Sequence, residues 1–220
     1  MFVCSVIAAV GDHEPRICLA GGSTPKRLYE LLSASPLVFD VPWHKVHWFF
    51  GDERFVPHSH ENSNARMVTE AMFAKVPIAA SHQHLVPTNA STPEKAAAAY
   101  EAELQKIYGA KELDPKRPLF DLTLLGIGDD GHTASLFPGT AALKESKRWT
   151  ASVIGAKPEP RITLTYPALN SSRHVAILAA GAGKAAVVKR IQKGDPLPAT
   201  GIKPSGQLHW FLDKAAAGVS

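Results

Sequence analysis

Only two cysteines, Cys4 and Cys18, occur in the 220 residues, and neither stands at a spacing that suits a metal. A disulfide framework is therefore not expected, and a reducing compartment, the cytoplasm, is the default. No basic block is present: 24 lysines and arginines face 20 acids, spread along the chain, for a formal net charge of +4. A nucleic-acid footprint would be clustered, so no nucleic-acid partner is expected. The apolar stretch Phe2 to Val10 is too short to span a bilayer and has no basic flank ahead of it. It reads as a core helix, and no membrane partner is expected. There is no internal repeat, no low-complexity tract and no obvious linker. Also missing are a Gly-x-Ser-x-Gly elbow, a reactive Cys-His pair and a Walker loop. Two Asn-x-Ser matches, at Asn89 and Asn170, carry no weight without a secretory route.

The residues that are present describe a sizeable α/β domain, 45% hydrophobic and 20% charged. Apolar runs predict strands over residues 16–20, 46–50, 119–125, 162–165, 175–180 and 209–212. Most are continuous, as expected for strands covered on both faces. Between them lie helical patterns. Thr24-Pro25 opens one with Leu28, Leu31 and Leu32 predicted on its inner face. Residues 62–73 carry Ala65, Val68 and Met72 at helical spacing. Thr92-Pro93-Glu94 opens a third through Tyr100, Leu104 and Ile107, and residues 183–191 form a fourth. This alternation predicts a doubly wound, mostly parallel sheet with helices on both faces, Rossmann-like, in one domain over 1–220. The proline-rich stretches 157–160 and 196–204 read as surface loops.

Ligands in open α/β sheets bind beyond the carboxyl ends of strands, and three unusual segments fall at such ends. Gly126-Ile127-Gly128-Asp129-Asp130-Gly131-His132 follows Leu124-Leu125 and presents a carboxylate, Asp130, two residues from an imidazole, His132. A histidine beside a carboxylate is a natural general base near neutral pH. Gly21-Gly22-Ser23-Thr24-Pro25 is a glycine turn opening a helix, either a phosphate site or a simple helix cap. It lacks the third glycine of a dinucleotide fingerprint. Gly51-Asp52-Glu53-Arg54 puts three charges directly after an aromatic strand. Arg161 and Lys184, each a solvated charge when taken alone, complete with the glycine turn a plausible clamp for a phosphate monoester. His58, His60, His82 and His84 lack a carboxylate or cysteine partner at convincing spacing, so exposed histidines are expected there and no metal site.

Leu19-Ala20-Gly21-Gly22-Ser23-Thr24-Pro25, Gly51-Asp52-Glu53-Arg54-Phe55-Val56-Pro57, Ser63-Asn64, Phe120-Asp121-Leu122 and residues 126–139 together resemble the 6-phosphogluconolactonases, as do Arg161 to Thr165, Gly183-Lys184-Ala185 and Trp210 to Asp213. The resemblance covers nearly the whole chain from about residue 16. It implies hydrolysis of 6-phospho-D-glucono-1,5-lactone in the oxidative pentose phosphate pathway, with no metal or organic cofactor. His132 is then the general base, Asp130 its orienting partner, and Arg54 a residue lining the site. Gly21, Gly22, Ser23, Thr24, Asp52, Arg161 and Lys184 are the implied substrate and phosphate ligands. The sole partner implied is a small phosphosugar lactone, bound by a monomer or weak homo-oligomer. Related glucosamine-6-phosphate isomerases carry a glutamate five residues after the histidine, where this chain has Phe137. A sugar-phosphate isomerase and a non-catalytic sugar-phosphate sensor are the alternatives. Family members have a further strand and a full helix before the glycine turn, so the chain is expected to be shortened there.

Overall fold

The computed structural model describes residues 1–11 and 13–219. Six strands form one parallel sheet: β1 (Arg16–Leu19), β2 (His47–Phe50), β4 (Gln83–His84), β5 (Phe120–Leu125), β8 (Ser172–Ala179) and β9 (Gln207–Leu212). Their spatial order is β4-β2-β1-β5-β8-β9. Counted by appearance within the sheet, that is 3-2-1-4-5-6, the order of a Rossmann-type sheet. β5 is buried along its whole length, which accounts for its unbroken apolar run. The chain leaves β1 towards one edge and β5 towards the other, so the switch point of the sheet lies between these two strands.

A second, antiparallel sheet has the order β3-β7-β6 and consists of β3 (Asp52–Arg54), β6 (Thr150–Val153) and β7 (Arg161–Leu164). This corrects the sequence reading twice. The strand expected at 162–165 is not part of the parallel sheet, and the charged segment after Phe50 is itself a short strand. Alternation of side chains along β3 explains why it was not legible: Glu53 is buried, while Asp52 and Arg54 on the other face are half-buried.

The helices are α1 (Phe2–Ala9), α2 (Ser23–Leu32), α3 (Asn64–Ala71), α4 (Pro93–Tyr108), α5 (Tyr166–Asn170), α6 (Ala185–Gln192) and α7 (Lys214–Ala217). The expected core helix at the start is present, with Val3, Cys4, Val6 and Ile7 buried. In α2 the buried stripe is Pro25, Tyr29 and Leu32, whereas Leu31, expected inside, is 43% exposed. Tyr29 takes the interior because its hydroxyl has partners there: it donates to the Ala20 carbonyl at 2.8 Å and accepts from the Ala20 N–H at 2.9 Å. Tyr100 on α4 does the same at the end of β2, donating to the Phe50 carbonyl at 3.0 Å and accepting from its N–H at 2.9 Å. Two buried tyrosines thus fix the ends of β1 and β2, where the cleft begins. Among the described residues no helix is long and apolar enough to cross a membrane.

Residues 196–204 are not the surface loop expected. Leu197, Pro198, Ala199 and Ile202 are buried, and the Ala199 N–H donates to the Gly131 carbonyl at 2.9 Å. Proline marked a turn here, and that turn packs under the loop after β5.

Candidate active site

A cleft of about 460 Å³ opens at the switch point. All three strand-end segments reach it: Gly21 to Thr24 after β1, Asp52 and Arg54 of β3, and Gly126, Gly128 and His132 after β5. Arg161, Lys184, Asn64, Thr133, Ser135, Phe137 and Lys157 complete its wall. Of the residues predicted for the site, Asp130 alone is set back from the wall, behind His132.

The His132 imidazole is anchored by Asp130. Its Nδ1 lies 2.5 Å from Asp130 Oδ1, and the backbone N–H of His132 donates to the same oxygen at 3.0 Å. Burial pushes the Asp130 carboxyl up, but the hydrogen bonds from the His132 amide and ring outweigh it and hold the group below the usual aspartate value. The loop closes on itself, with the Gly128 N–H donating to the His132 carbonyl at 2.8 Å. The imidazole lies so close over Gly128 that a Cβ at that position would overlap the ring. Beyond His132, the Thr133 hydroxyl donates to the Gly126 carbonyl at 2.9 Å, and Ala134 adopts a φ of +48°, which is uncommon for a residue with a side chain. The Phe137 ring packs 4.5 Å from the His132 ring, centroid to centroid. It forms an apolar wall of the cleft beside the imidazole.

The glycine turn needs its glycine. Gly22 has φ +102° and ψ 167°, a conformation open to glycine alone, and it leads into α2 with no side chain capping the helix. Hydrogen bonds inside the helix begin with the Lys26 N–H, which donates to the Gly22 carbonyl at 3.0 Å. The first-turn amides of α2 have no partner within the helix and sit at the positive end of its dipole, at the cleft wall.

β3 contributes differently at each residue. Buried Glu53 accepts from the N–H groups of Asn64 (2.7 Å), Ala65 (2.7 Å) and Arg54 (2.8 Å) and from the Ser63 hydroxyl (3.1 Å). It caps α3, and burial is the largest influence on it, pushing its carboxyl above the usual value. Asp52 faces the cleft, and its carboxylate receives the Ser135 hydroxyl at 2.6 Å and the Asn64 amide at 3.3 Å. Arg54 donates to the Asn62 carbonyl and to Asn64 Oδ1, both at 2.8 Å. Asn64 is a central residue of the site to which the sequence reading gave no role. Its signal in the sequence was the Ser63-Asn64 pair within the family resemblance; Ser63 itself caps α3.

Pairing of β3 with β7 puts Arg54 directly opposite Arg161. Like charges facing each other across strands destabilise a sheet. Burial and the neighbouring Arg54 both lower the affinity of Arg161 for its proton. Among the described residues its sole ion pair is a long one, 3.4 Å to Glu159, and its buried Nε has no partner. Lys184, from the turn before α6, reaches the same cleft and is held at 2.6 Å by the largely exposed Asp129. Lys157 also enters, its Nζ 5.3 Å from the Phe137 ring centroid. Proline-rich surroundings had marked that segment as surface.

Residues 3–210 match the family model described as glucosamine-6-phosphate isomerases/6-phosphogluconolactonase. A 6-phosphogluconolactonase of Synechocystis is 44% identical over 205 residues, covering 91% of this chain and 82% of the relative. The 6-phosphogluconolactonase of Homo sapiens is 39% identical over 208 residues, covering 90% and 78%. The solved structure of 6-phosphogluconolactonase from Trypanosoma brucei superposes with a TM-score of 0.84 at 32% identity, covering 99% of this chain and 91% of that one.

Proposed function

Because the chain belongs to the family of glucosamine-6-phosphate isomerases and 6-phosphogluconolactonases, we propose that its cleft hydrolyses 6-phospho-D-glucono-1,5-lactone to 6-phosphogluconate with His132 as general base. That reaction is the second step of the oxidative pentose phosphate pathway. A lactone is an activated ester, so the chemistry asks for a water stripped of a proton and a place for the developing oxyanion, and for no cofactor. His132 takes the proton as water attacks the C1 carbonyl and returns it to the leaving ring oxygen. Asp130 fixes the imidazole by its Nδ1, leaving Nε2 to face substrate, and stabilises the cationic ring. Amides of the glycine-rich loops are suited to the oxyanion.

The 6-phosphate is held between the first turn of α2, with Gly21, Gly22, Ser23 and Thr24, and the cations Arg161 and Lys184. Arg54 lines the sugar side. Asp52 joins the substrate wall while its carboxylate anchors Ser135. One observation carries this reading: Arg161, mostly buried and short of partners, stands opposite Arg54 in the β3–β7 pair and lines the same cleft as an aspartate-bound histidine. A cation with so few partners of its own calls for an anion, and a phosphate dianion held between Arg161, Lys184 and the first turn of α2 supplies it. The enzyme acts in the cytoplasm on a free phosphosugar, as a monomer or weak homo-oligomer, with no nucleic acid or membrane partner.

The test is an assay of 6-phosphogluconolactone hydrolysis corrected for the spontaneous rate. Fructose-6-phosphate with ammonium, and glucosamine-6-phosphate, serve as counter-substrates. Rapid lactone hydrolysis with neither aminosugar reaction is the expected result. Isomerisation moves a proton between adjacent carbons and gains from a second proton carrier; Phe137 is none. Robust deaminase activity overturns the assignment, and substrate binding without turnover identifies a sensor.

A further inference from the structure

At the opposite end of β2 from the cleft, three residues far apart in sequence converge. His47 is the first residue of β2, Glu14 lies just ahead of β1, and His82 lies just ahead of β4. Their ligating atoms all lie within 4.8 Å of one another. Glu14 Oε2 is 2.8 Å from His47 Nε2 and 3.9 Å from His82 Nε2. Tetrahedral zinc bonded at about 2.0–2.2 Å holds neighbouring donors roughly 3.3 Å apart, so these spacings bracket the requirement. The histidine pattern at 82–84 looked metal-free in the sequence because its carboxylate arrives from residue 14.

The hydrogen bonds behind His47 strengthen the case. Its Nδ1 is 2.8 Å from His84 Nε2, and His84 Nδ1 is 2.7 Å from Glu103 Oε1. His84 is buried, against the expectation of an exposed residue. An ionised Glu103 can only accept, so His84 donates from Nδ1. With both rings neutral, His84 Nε2 then accepts from His47 Nδ1–H, and His47 Nε2 is left with a lone pair. That lone pair points at a carboxylate oxygen at 2.8 Å. A proton on Nε2 or a metal ion shared by the two atoms relieves the repulsion between two acceptors at this distance, and the nearby His82 Nε2 supplies the further donor that a metal ion needs. A metal-ligating imidazole is oriented by a hydrogen bond from its other ring nitrogen; here that partner is His84, itself fixed by Glu103.

We propose that Glu14, His47 and His82 bind a zinc ion, with His84 and Glu103 positioning His47. Two imidazoles and a carboxylate suit zinc better than calcium or magnesium, which take oxygen ligands. Glu14 is 55% exposed, which leaves room for water as the fourth ligand and lets the carboxylate adjust. Zinc here would tie together the chain ahead of β1, the start of β2 and the turn ahead of β4. It would therefore stabilise the folded state by mass action.

The experiment uses full-length, tag-free protein stripped of metal. Zinc content after equilibrium dialysis, visible absorption on adding cobalt(II), and Tm with and without zinc are measured. Wild type should hold one zinc per chain, show cobalt bands that zinc displaces, and melt higher with zinc. His82→Ala and Glu14→Gln should each lose at least tenfold in affinity and the zinc-dependent rise in Tm. Glu14→Gln, at an exposed position, guards against a variant that fails to fold. Glu103→Gln, which removes no ligand, should weaken zinc about 10–100-fold. Lactone hydrolysis by His82→Ala should equal wild type, and His132→Ala should keep its zinc. The site is refuted if wild type takes up no zinc, if His82→Ala and Glu14→Gln bind as wild type does, or if binding disappears only in His132→Ala. In the first case Glu14 and His47 are an ordinary imidazolium–carboxylate pair.

Discussion

Asp130 holds His132 at two points through one oxygen, the ring nitrogen at 2.5 Å and the backbone amide at 3.0 Å. The contact fixes both the ring and the strand-end loop that carries it. Replacing His132 by alanine should lower the lactone hydrolysis rate by about 10²–10⁴-fold and leave the fold intact, because the side chain lies at the cleft wall. Asp130→Asn should also slow the reaction, since an amide neither stabilises the imidazolium nor enforces the tautomer. With its carboxyl already held low, Asp130 remains ionised across the neutral range. Its stabilising contribution is present above the unfolded aspartate value of about 3.9 and disappears as pH falls through the lower folded value. Rates and circular dichroism on both variants check this; a near wild-type rate for His132→Ala removes the proposed base.

Gly128 offers a subtler probe of the same imidazole. A methyl group at residue 128 would overlap the His132 ring, so Gly128→Ala should displace the ring without removing it. The expected result is a fall in kcat approaching that of His132→Ala, with little change in KM, because the phosphate end of the cleft is untouched. An unimpaired kcat would show that the ring works from another position.

The phosphate clamp predicts a selective loss. Arg161→Ala and Lys184→Ala should each raise KM for the phosphorylated lactone, by an amount corresponding to about 1.5–3 kcal/mol for a charge-assisted contact. Unphosphorylated gluconolactone should respond much less. Arg161→Ala also relieves the opposition to Arg54, so this variant should be no less stable than wild type. If both substrates suffer equally, the two cations serve the structure or the chemistry and not the phosphate.

How far the sequence foretold this molecule depends on the range of the interaction. The apolar runs announced five of the six parallel strands, and the glycine breaks announced where the cleft lies, because both signals are local. β4, two residues long, had no pattern to offer. β3 was hidden because a short strand with alternating burial does not resemble a continuous apolar run, and β6, Thr-Ala-Ser-Val, because its four residues include no such run. Leu31 was placed inside on hydropathy alone, whereas Tyr29 won the interior through hydrogen bonds to Ala20, which composition cannot reveal. Asp130 and His132 are neighbours in the chain and were legible. Arg54 opposite Arg161 and Glu14 meeting His47 and His82 depend on strand pairing between distant segments, and Asn64 linking Asp52 to Arg54 depends on the docking of α3 against β3.

Glu53 supplies a stability test independent of catalysis. Its two oxygens accept four hydrogen bonds, three of them from backbone amides. Glutamine keeps one accepting oxygen and turns an N–H₂ towards the remaining donors. Glu53→Gln should therefore destabilise by about 1–3 kcal/mol, the cost of leaving a buried donor unpaired. For a chain of this length that is roughly 2–4 °C in Tm per kcal/mol. A second signature separates charge from shape. Burial raises the folded-state value of Glu53 above the unfolded glutamate value of about 4.3. Its contribution to stability is thus greatest below the unfolded value and shrinks as pH rises through the folded one. Glutamine has no proton to lose, so the gap in Tm between wild type and variant should be widest near pH 4 and narrow towards neutrality. A gap that widens with rising pH would mean that the ionised carboxylate is favoured by its four donors despite its burial.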